Sequence, residues 1–180
     1  LVDLAILDDD GAKLPQGERG EVCIRSVANF NGYWENEEAT QAAFTSDGYF
    51  RTGDIGYLDE DGYLFIVDRK KDIIIRGGEN ISCPEVEAAA YEHDAVAELS
   101  VFGIADDHYG EVPGLVYFTK EGSELSPDEL KSFLQAKLAP FKVPVHFWRV
   151  HEPLPRLGTQ KIDRVTLRRE YNAKVKELED

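Results

Sequence analysis

The pattern of apolar and polar positions divides the chain into two stretches that predict different structures. In residues 1–68, short apolar runs are separated by acidic turns that contain glycine, which is typical of β-strands. Residues 35–44 predict a short helix, and residues 48–54 predict a loop with aromatic side chains. The predicted strands of this stretch cover residues 4–7, 22–24 and 63–67.

The second stretch, residues 69–180, mixes strand patterns with helix-start signals. Ser82 and Ser126 are each followed by a proline and, three residues on, by a glutamate, which predicts a capping box at the start of two helices. The apolar spacing of residues 165–178 predicts a last helix. The whole chain therefore predicts an α+β fold, with a small, mostly antiparallel sheet in this stretch. Its predicted strands cover residues 73–75, 96–104, 112–118 and 145–150.

Five consecutive charged residues, 68–72, separate the two stretches. Apolar strands flank them on both sides, so they fit a solvated hairpin turn. They also fit a hinge between two domains, with charges that a ligand neutralises. The pattern alone leaves both interpretations open.

Composition and charge exclude several classes of protein. With 42% hydrophobic and 31% charged residues, the chain has an ordinary globular balance, and no apolar run approaches a membrane span. The net charge is −15, of which −11 falls in residues 1–68, and this argues against nucleic-acid partners. Cys23 and Cys83 form no paired motif, which predicts reduced thiols in a cytoplasmic protein and no metal site. The chain begins with Leu1 and lacks methionine, which suggests a fragment of a larger protein.

Three clusters carry candidate chemistry. Asp54 lies between two glycines, where a carboxylate could accept hydrogen bonds from the two hydroxyls of a ribose. Gly77 and Gly78 allow a loop to pass close to a ligand. Lys161 lies in a loop bracketed by proline and glycine, and its amine suits a phosphate or a developing oxyanion. Taken singly, these features equally fit two turns and a surface lysine.

Together, the order and spacing of these clusters resemble the adenylate-forming superfamily of acyl- and aryl-CoA synthetases, luciferases and peptide-synthetase adenylation domains. The resemblance implies that residues 1–68 are the β-rich end of a large N-terminal domain. Residues 69–180 would be a mobile α+β lid, with the hinge near 68–72. The matching blocks are residues 32–34 with Thr40, 48–56, 61–63, 68–87 and 153–164.

The resemblance also implies roles for individual residues. Asp54 would bind the ribose hydroxyls of ATP and AMP, and Arg69 would contact the ribose and phosphate side of the nucleotide. Lys71 would be the pivot of the lid. Lys161 would be catalytic, bridging the carboxylate substrate and the α-phosphate. The residues implied to line the pantetheine tunnel of CoA are Gly77, Gly78 and Glu79.

The implied function is that of a carboxylic acid–CoA ligase. A fatty or aryl acid would react with ATP to give an acyl-adenylate and pyrophosphate, and CoA would then accept the acyl group. ATP and its Mg would be bound mainly by the N-terminal domain, so the fragment alone is expected to be inactive. One position departs from the family pattern, since Gln160 stands where glycine usually precedes the lysine, and Gly158 lies two residues earlier.

Three other functions fit the same residues less well. An adenylation domain that loads a carrier protein would share the nucleotide chemistry. A non-catalytic binding module could keep the lid fold, although it would have no reason to retain Asp54, Arg69 and Lys161 together. A generic α+β domain with surface charges would explain none of the matching blocks.

Overall fold

The computed structural model describes residues 2–179, so Leu1 and Asp180, the outer ends of the two predicted stretches, lie outside the described residues. The chain forms two compact units, Leu1–Lys71 and Asp72–Asp180. Their boundary falls within the charged segment 68–72. That this segment works as a hinge stays a prediction.

The first unit is a four-stranded antiparallel sheet in which the strands follow one another in chain order. A short helix, α1 (Glu37–Ala43), connects the second strand to the third. The strands predicted at 4–7, 22–24 and 63–67 and the helix within 35–44 are confirmed. The strands are β1 (Asp3–Leu7), β2 (Gly20–Arg25), β3 (Phe50–Leu58) and β4 (Leu64–Arg69).

The loop predicted over residues 48–54 is wrong, because β3 begins at Phe50. Gly48 lies in the turn that precedes β3, whereas Gly53 and the following Gly56 lie within the strand. A Cβ at Gly56 would lie 2.5 Å from the carbonyl oxygen of Phe65 on β4, so only glycine allows the two strands to approach this closely. Gly53 has a φ of +74°, and the register of β3 and β4 shifts between Ile55 and Gly56.

The first unit has a small buried core. Residues 64–67 of the apolar run lie in β4, yet their side chains are exposed on both faces of the strand; Ile66, for example, is 59% exposed. The buried core cluster consists of Ala5, Leu7, Cys23 and Tyr49.

The second unit is built on a five-stranded sheet with the order β6-β5-β8-β7, in which β9 pairs in parallel with β8. All other pairings are antiparallel, so the predicted sheet type is confirmed. The prediction missed β6, which is short and begins with two polar residues. The strands are β5 (Ile73–Arg76), β6 (Glu79–Ser82), β7 (Val96–Asp106), β8 (Gly110–Thr119) and β9 (His146–Val150).

Three helices accompany this sheet: α2 (Cys83–Tyr91), α3 (Pro127–Gln135) and α4 (Arg164–Glu179). Ser82 and Ser126 cap α2 and α3 as predicted. The full capping box forms at α3. At α2 the predicted box is wrong, because the carboxylate of Glu85 pairs instead with the amine of Lys142 at 2.6 Å.

Apolar residues on the two faces of the sheet belong to two separate core clusters. On β7, Leu99 and Val101 belong to the cluster that α2 and α3 contribute to. Phe102 and Ile104 belong to the cluster that contains the apolar face of α4. Helices thus cover both faces, and because the β7–β8 hairpin contributes to both clusters we expect it to be rigid. None of the helices in the described part of the chain is long and apolar enough to cross a membrane.

Candidate functional site

The structure brings together two residues predicted to contact the nucleotide. Asp54 on β3 lies directly opposite Arg69 on β4, and its Oδ1 is 3.1 Å from the Nε of Arg69. The side chain of Asp54 is 23% exposed, and that of Arg69 is 59% exposed. A guanidinium carries five N–H donors, so this ion pair leaves Arg69 able to donate to a phosphate as well.

The charged segment 68–72, which begins in the last two residues of β4, is held in place at several points. Asp68 is buried, and its Oδ1 accepts a hydrogen bond from the backbone N–H of Arg69 at 2.7 Å. Lys70 donates to Asp9 at 2.7 Å and lies 3.4 Å from Glu21. The hydrogen bond with Asp9 raises the pKa of Lys70. Lys71 is exposed within a short 3-10 turn, Lys70–Asp72.

The two glycines predicted to lie on a CoA loop form the tight turn between β5 and β6. Arg76 pairs with Glu79, so the turn consists of Gly77 and Gly78 alone, with φ of +56° and +90°. The N–H of Gly77 donates to the carbonyl of Tyr109 at 2.8 Å. A Cβ at Gly78 would meet nothing within 4 Å, whereas a Cβ at Gly77 would lie 3.1 Å from Cδ1 of Tyr109, so the turn is open on the side of Gly78.

A cavity of about 390 Å³ lies beside this turn and was not predicted from the sequence. Its lining includes the cations Arg76 and Lys131 and the amide of Gln135. The guanidinium of Arg76 lies over the ring of Tyr109 and donates to the carbonyl of Phe141 at 2.9 Å. The cavity is formed by Arg76 and by residues between 131 and 145, more than 50 positions away, so no local motif could indicate it.

Lys161 is exposed in a loop that is closed on itself between β9 and α4. Arg156 and Ile162 form a β-bridge across the loop, and the N–H of Leu157 donates to the carbonyl of Lys161 at 2.8 Å. Gln160 has a φ of +66°, in the left-handed region that glycine favours. Gln160, at the position where the resemblance implies glycine, therefore adopts a glycine-like backbone conformation.

The residues after Lys161 fix the start of α4. Asp163 accepts hydrogen bonds from the backbone N–H and the hydroxyl of Thr166, at 3.1 and 2.8 Å. These bonds, the backbone one most, lower the pKa of Asp163. Arg164 pairs with Glu87 on α2 and lies 3.4 Å from Asp72, the first residue of the second unit.

Within the second unit, the turn of Gly77 and Gly78 (the glycine turn) and residues 155–161 (the lysine loop) attach to opposite ends of the β7–β8 hairpin. Arg76, directly before the glycine turn, pairs with Gly110, which faces Asp106 at one end. The lysine loop is tied to Glu98, near the other end, through Arg156 at 2.6 Å. Asp106 lies eight positions after Glu98 on β7, which is roughly 26 Å along a strand.

Among residues 2–179, no group of three or more His, Cys, Asp or Glu side chains is gathered so as to hold a metal ion. Residues 85–161 match the family of AMP-binding enzyme C-terminal domains. The chain is 43% identical over 173 residues to a probable CoA ligase of Humulus lupulus, an alignment that covers 96% of this chain and 33% of that protein. The chain thus spans about a third of the length of this relative.

Solved structures of similar proteins show the same fold. ATP-bound MatB of Rhodopseudomonas palustris superimposes with a TM-score of 0.84 and 32% identity, over 95% of this chain and 34% of that one. The o-succinylbenzoate CoA synthetase of Bacillus subtilis, in complex with its acyl-adenylate intermediate, superimposes with a TM-score of 0.78 and 36% identity. That comparison covers 92% of this chain and 33% of the other. The resemblance stated from the sequence is thereby confirmed.

Proposed function

We propose, from the premise that this chain belongs to the C-terminal region of the adenylate-forming enzymes, that it serves an ATP-dependent acid–CoA ligase. The observation that carries the proposal is the position of two chemically different loops at opposite ends of one rigid hairpin. One loop presents the amine of Lys161, and the other is the bare turn of Gly77 and Gly78. Adenylation and thioester formation differ in chemistry, so each step would use its own loop.

In the first step, a carboxylate oxygen of the acid attacks the α-phosphorus of ATP. The bond from this phosphorus to the bridging oxygen breaks, and pyrophosphate leaves with the electron pair. Two anions must approach each other for this to happen. The amine of Lys161 would offset their repulsion and stabilise the charge that develops in the transition state.

In the second step, the sulfur of CoA attacks the carbonyl carbon of the acyl-adenylate. The thiol proton is lost to solvent, and AMP leaves with the electrons of the acyl–oxygen bond. The turn has no side chain at Gly78 and open space beside it, so it would let the thiol arm pass on that side. The cations Arg76 and Lys131 in the neighbouring cavity suit the phosphates of CoA.

Nucleotide binding falls to the first unit in this proposal. Asp54 would accept hydrogen bonds from the ribose hydroxyls, and Arg69 would donate to a phosphate. The 3.1 Å ion pair of Asp54 and Arg69 supports these two roles, because it holds the acceptor for the ribose hydroxyls beside the donor for the phosphate. Mg would accompany ATP and would find its ligands outside the residues described here.

The distance between the attachment points of the two loops supports a lid movement. Because roughly 26 Å of rigid strand separates their attachment points, a single reaction centre could receive them only in turn. The pivot would be Lys71, which is exposed at the boundary between the two compact units. Rotation at this point would replace the lysine loop by the glycine turn.

The experiment uses the full-length enzyme that contains this chain. Pyrophosphate release is measured with o-succinylbenzoate, benzoate and palmitate, and thioester formation is measured separately from supplied acyl-adenylate. We expect Lys161→Ala to lower the rate of adenylation by about 10²–10³-fold while thioester formation largely survives. Lys176→Ala, at an exposed lysine of α4, is the matched control and should change neither rate. Equal loss of both half-reactions in Lys161→Ala would refute the division of roles.

A further inference from the structure

The loop that carries Lys161 has almost no packing of its own. Every residue from 155 to 161 is exposed, and a Cβ at Gly158 would meet nothing within 4 Å. Apolar anchors exist only at its two ends, where Leu154 is buried and Ile162 is partly buried. The position of the Lys161 backbone therefore depends on hydrogen bonds.

Arg156 supplies hydrogen bonds that reach the tip of this loop. Its Nη1 donates to the carbonyl oxygen of Gln160 at 2.7 Å, and its Nη2 donates to Glu98 Oε1 at 2.6 Å. The Gln160 carbonyl belongs to the peptide plane that leads directly into Lys161. Fixing the direction of this carbonyl therefore fixes the backbone from which the Lys161 side chain extends.

Glu98 connects this contact to the rigid part of the unit. It lies on β7, and its side chain is 19% exposed. Its second oxygen, Oε2, accepts a hydrogen bond from the N–H of Leu154 at 2.9 Å, just before the loop. One carboxylate thus holds both the entry to the loop and the guanidinium that holds its tip, through bonds that charge strengthens.

We propose that Arg156, held by Glu98, is a positioning residue for Lys161 in the adenylation half-reaction. The inference rests on the proposed function, since it gives Lys161 its role. A catalytic group displaced by about 1 Å can lose a rate factor of about 10². In Arg156→Lys, the ammonium group lacks the planar guanidinium geometry that reaches both the Gln160 carbonyl and Glu98. It can therefore restore the position of the loop only in part.

The test measures both half-reactions of the full-length enzyme for Arg156→Ala, Arg156→Lys and Glu98→Gln. For Arg156→Ala we expect the kcat of adenylation to fall by about 10- to 100-fold, with little change in the KM for ATP, because the lost contact acts on the transition state. Thioester formation from supplied acyl-adenylate should keep its rate. The kcat of adenylation should be intermediate for Arg156→Lys, and it should also be lowered in Glu98→Gln.

Arg168→Ala is the matched control, because Arg168 is also a half-exposed arginine of the second unit, paired with Glu111. It should leave both half-reactions unchanged. Hydrogen exchange gives a readout independent of activity: the amides of Leu157 and Gln160, both hydrogen-bonded within the loop, should exchange faster in Arg156→Ala and not in the control.

The outcomes separate the positioning role from the proposed function. If Lys161→Ala loses adenylation but Arg156→Ala and Glu98→Gln do not, the positioning role is wrong and the function stands. If Lys161→Ala itself adenylates at the normal rate, the proposed function fails. Equal loss of both half-reactions in Arg156→Ala would show that Arg156 has only a structural role, which would overturn the proposal. If Arg156→Ala does not fold, Arg156→Lys and Glu98→Gln decide the question by the same criteria.

Discussion

At the scale of single residues, the backbone of Gln160 is held in a conformation that costs free energy. Its φ of +66° brings the Cβ close to backbone atoms, which costs about 1–2 kcal/mol for a residue other than glycine. Glycine removes this strain but loses about 0.4–1 kcal/mol through the greater entropy of the unfolded chain. Gln160→Gly should therefore raise the free energy of unfolding by about 0.5–1 kcal/mol, as measured by urea denaturation.

Gln160→Ala is the control for this prediction, because alanine keeps the Cβ and thus the strain. It should give no gain in stability. If alanine stabilised the chain as much as glycine, the side chain of Gln160 and not its backbone would be the source of the effect.

Cys23 illustrates a residue whose chemistry is suppressed by its surroundings. The thiol is fully buried, and burial raises its pKa from 9.0 to about 11. At about pH 8 the thiolate fraction is then roughly 100-fold smaller than for an ordinary cysteine, and the thiolate is the reactive form. Alkylation followed by mass spectrometry of the Cys23 peptide should show negligible labelling of the native chain and rapid labelling in urea. Fast labelling without urea would contradict this assignment.

At the scale of elements, helix starts could be predicted because their signals are local. Ser126, Pro127 and Glu129 carry the start of α3 within four residues, and the capping box forms as expected. Pairings between distant segments could not be predicted in this way. Glu85 matched the same local rule, but Lys142, 57 residues away, takes its carboxylate.

Prediction of the candidate site from local sequence has the same limit. The resemblance pointed to Asp54, Arg69 and Lys161, since each lies in a local motif of this sequence that is similar to the family's. It did not indicate Glu98, which contacts Arg156 across 58 positions of sequence. The strand at Phe50 was missed because glycines normally end strands, whereas here Gly56 permits the close approach of a neighbouring strand.

The capping box of α3 predicts a measurable loss of stability. In Ser126→Ala, the backbone N–H of Glu129 loses its acceptor, and the carboxylate of Glu129 loses the Ser126 hydroxyl. Urea denaturation should show the free energy of unfolding lowered by about 1 kcal/mol. Ser132→Ala is the control, because Ser132 lies inside the same helix and alanine favours helix there. A cost at Ser132 as large as at Ser126 would argue against the cap.

The start of α4 predicts a pH dependence. Hydrogen bonds from Thr166 hold the pKa of Asp163 below its ordinary value of 3.8 in the folded chain. The carboxylate therefore contributes stability above that value, and the contribution is lost as the pH falls through the lower folded pKa. Asparagine at this position, in Asp163→Asn, cannot ionise. The difference in free energy of unfolding between wild type and this variant should therefore be constant near neutral pH and should become smaller below pH 3.8. Urea midpoints measured across this range check the prediction; a difference that widens in acid would have the wrong sign.

At the scale of the whole molecule, the two compact units have cores of very different size. The first unit buries one small cluster around Cys23 and Tyr49 and leaves the apolar side chains of β4 exposed. The second unit buries a cluster on each face of its sheet, under helices. Since burial of apolar area is the main favourable term in folding, the second unit should be the more stable.

Urea denaturation of the 180-residue chain should therefore show two transitions. Hydrogen exchange, followed peptide by peptide, should show loss of protection in residues 2–71 at a lower urea concentration than in residues 72–179. Trp148, which packs against Tyr171 in the second unit, should report the later transition by its fluorescence. Leu130→Ala removes a fully buried side chain and should destabilise the second unit by about 2–5 kcal/mol without moving the first transition. If both sets of peptides lost protection together, and Leu130→Ala moved both, the units would fold as one cooperative body, and rotation of one unit about Lys71 would have to disrupt that body's packing.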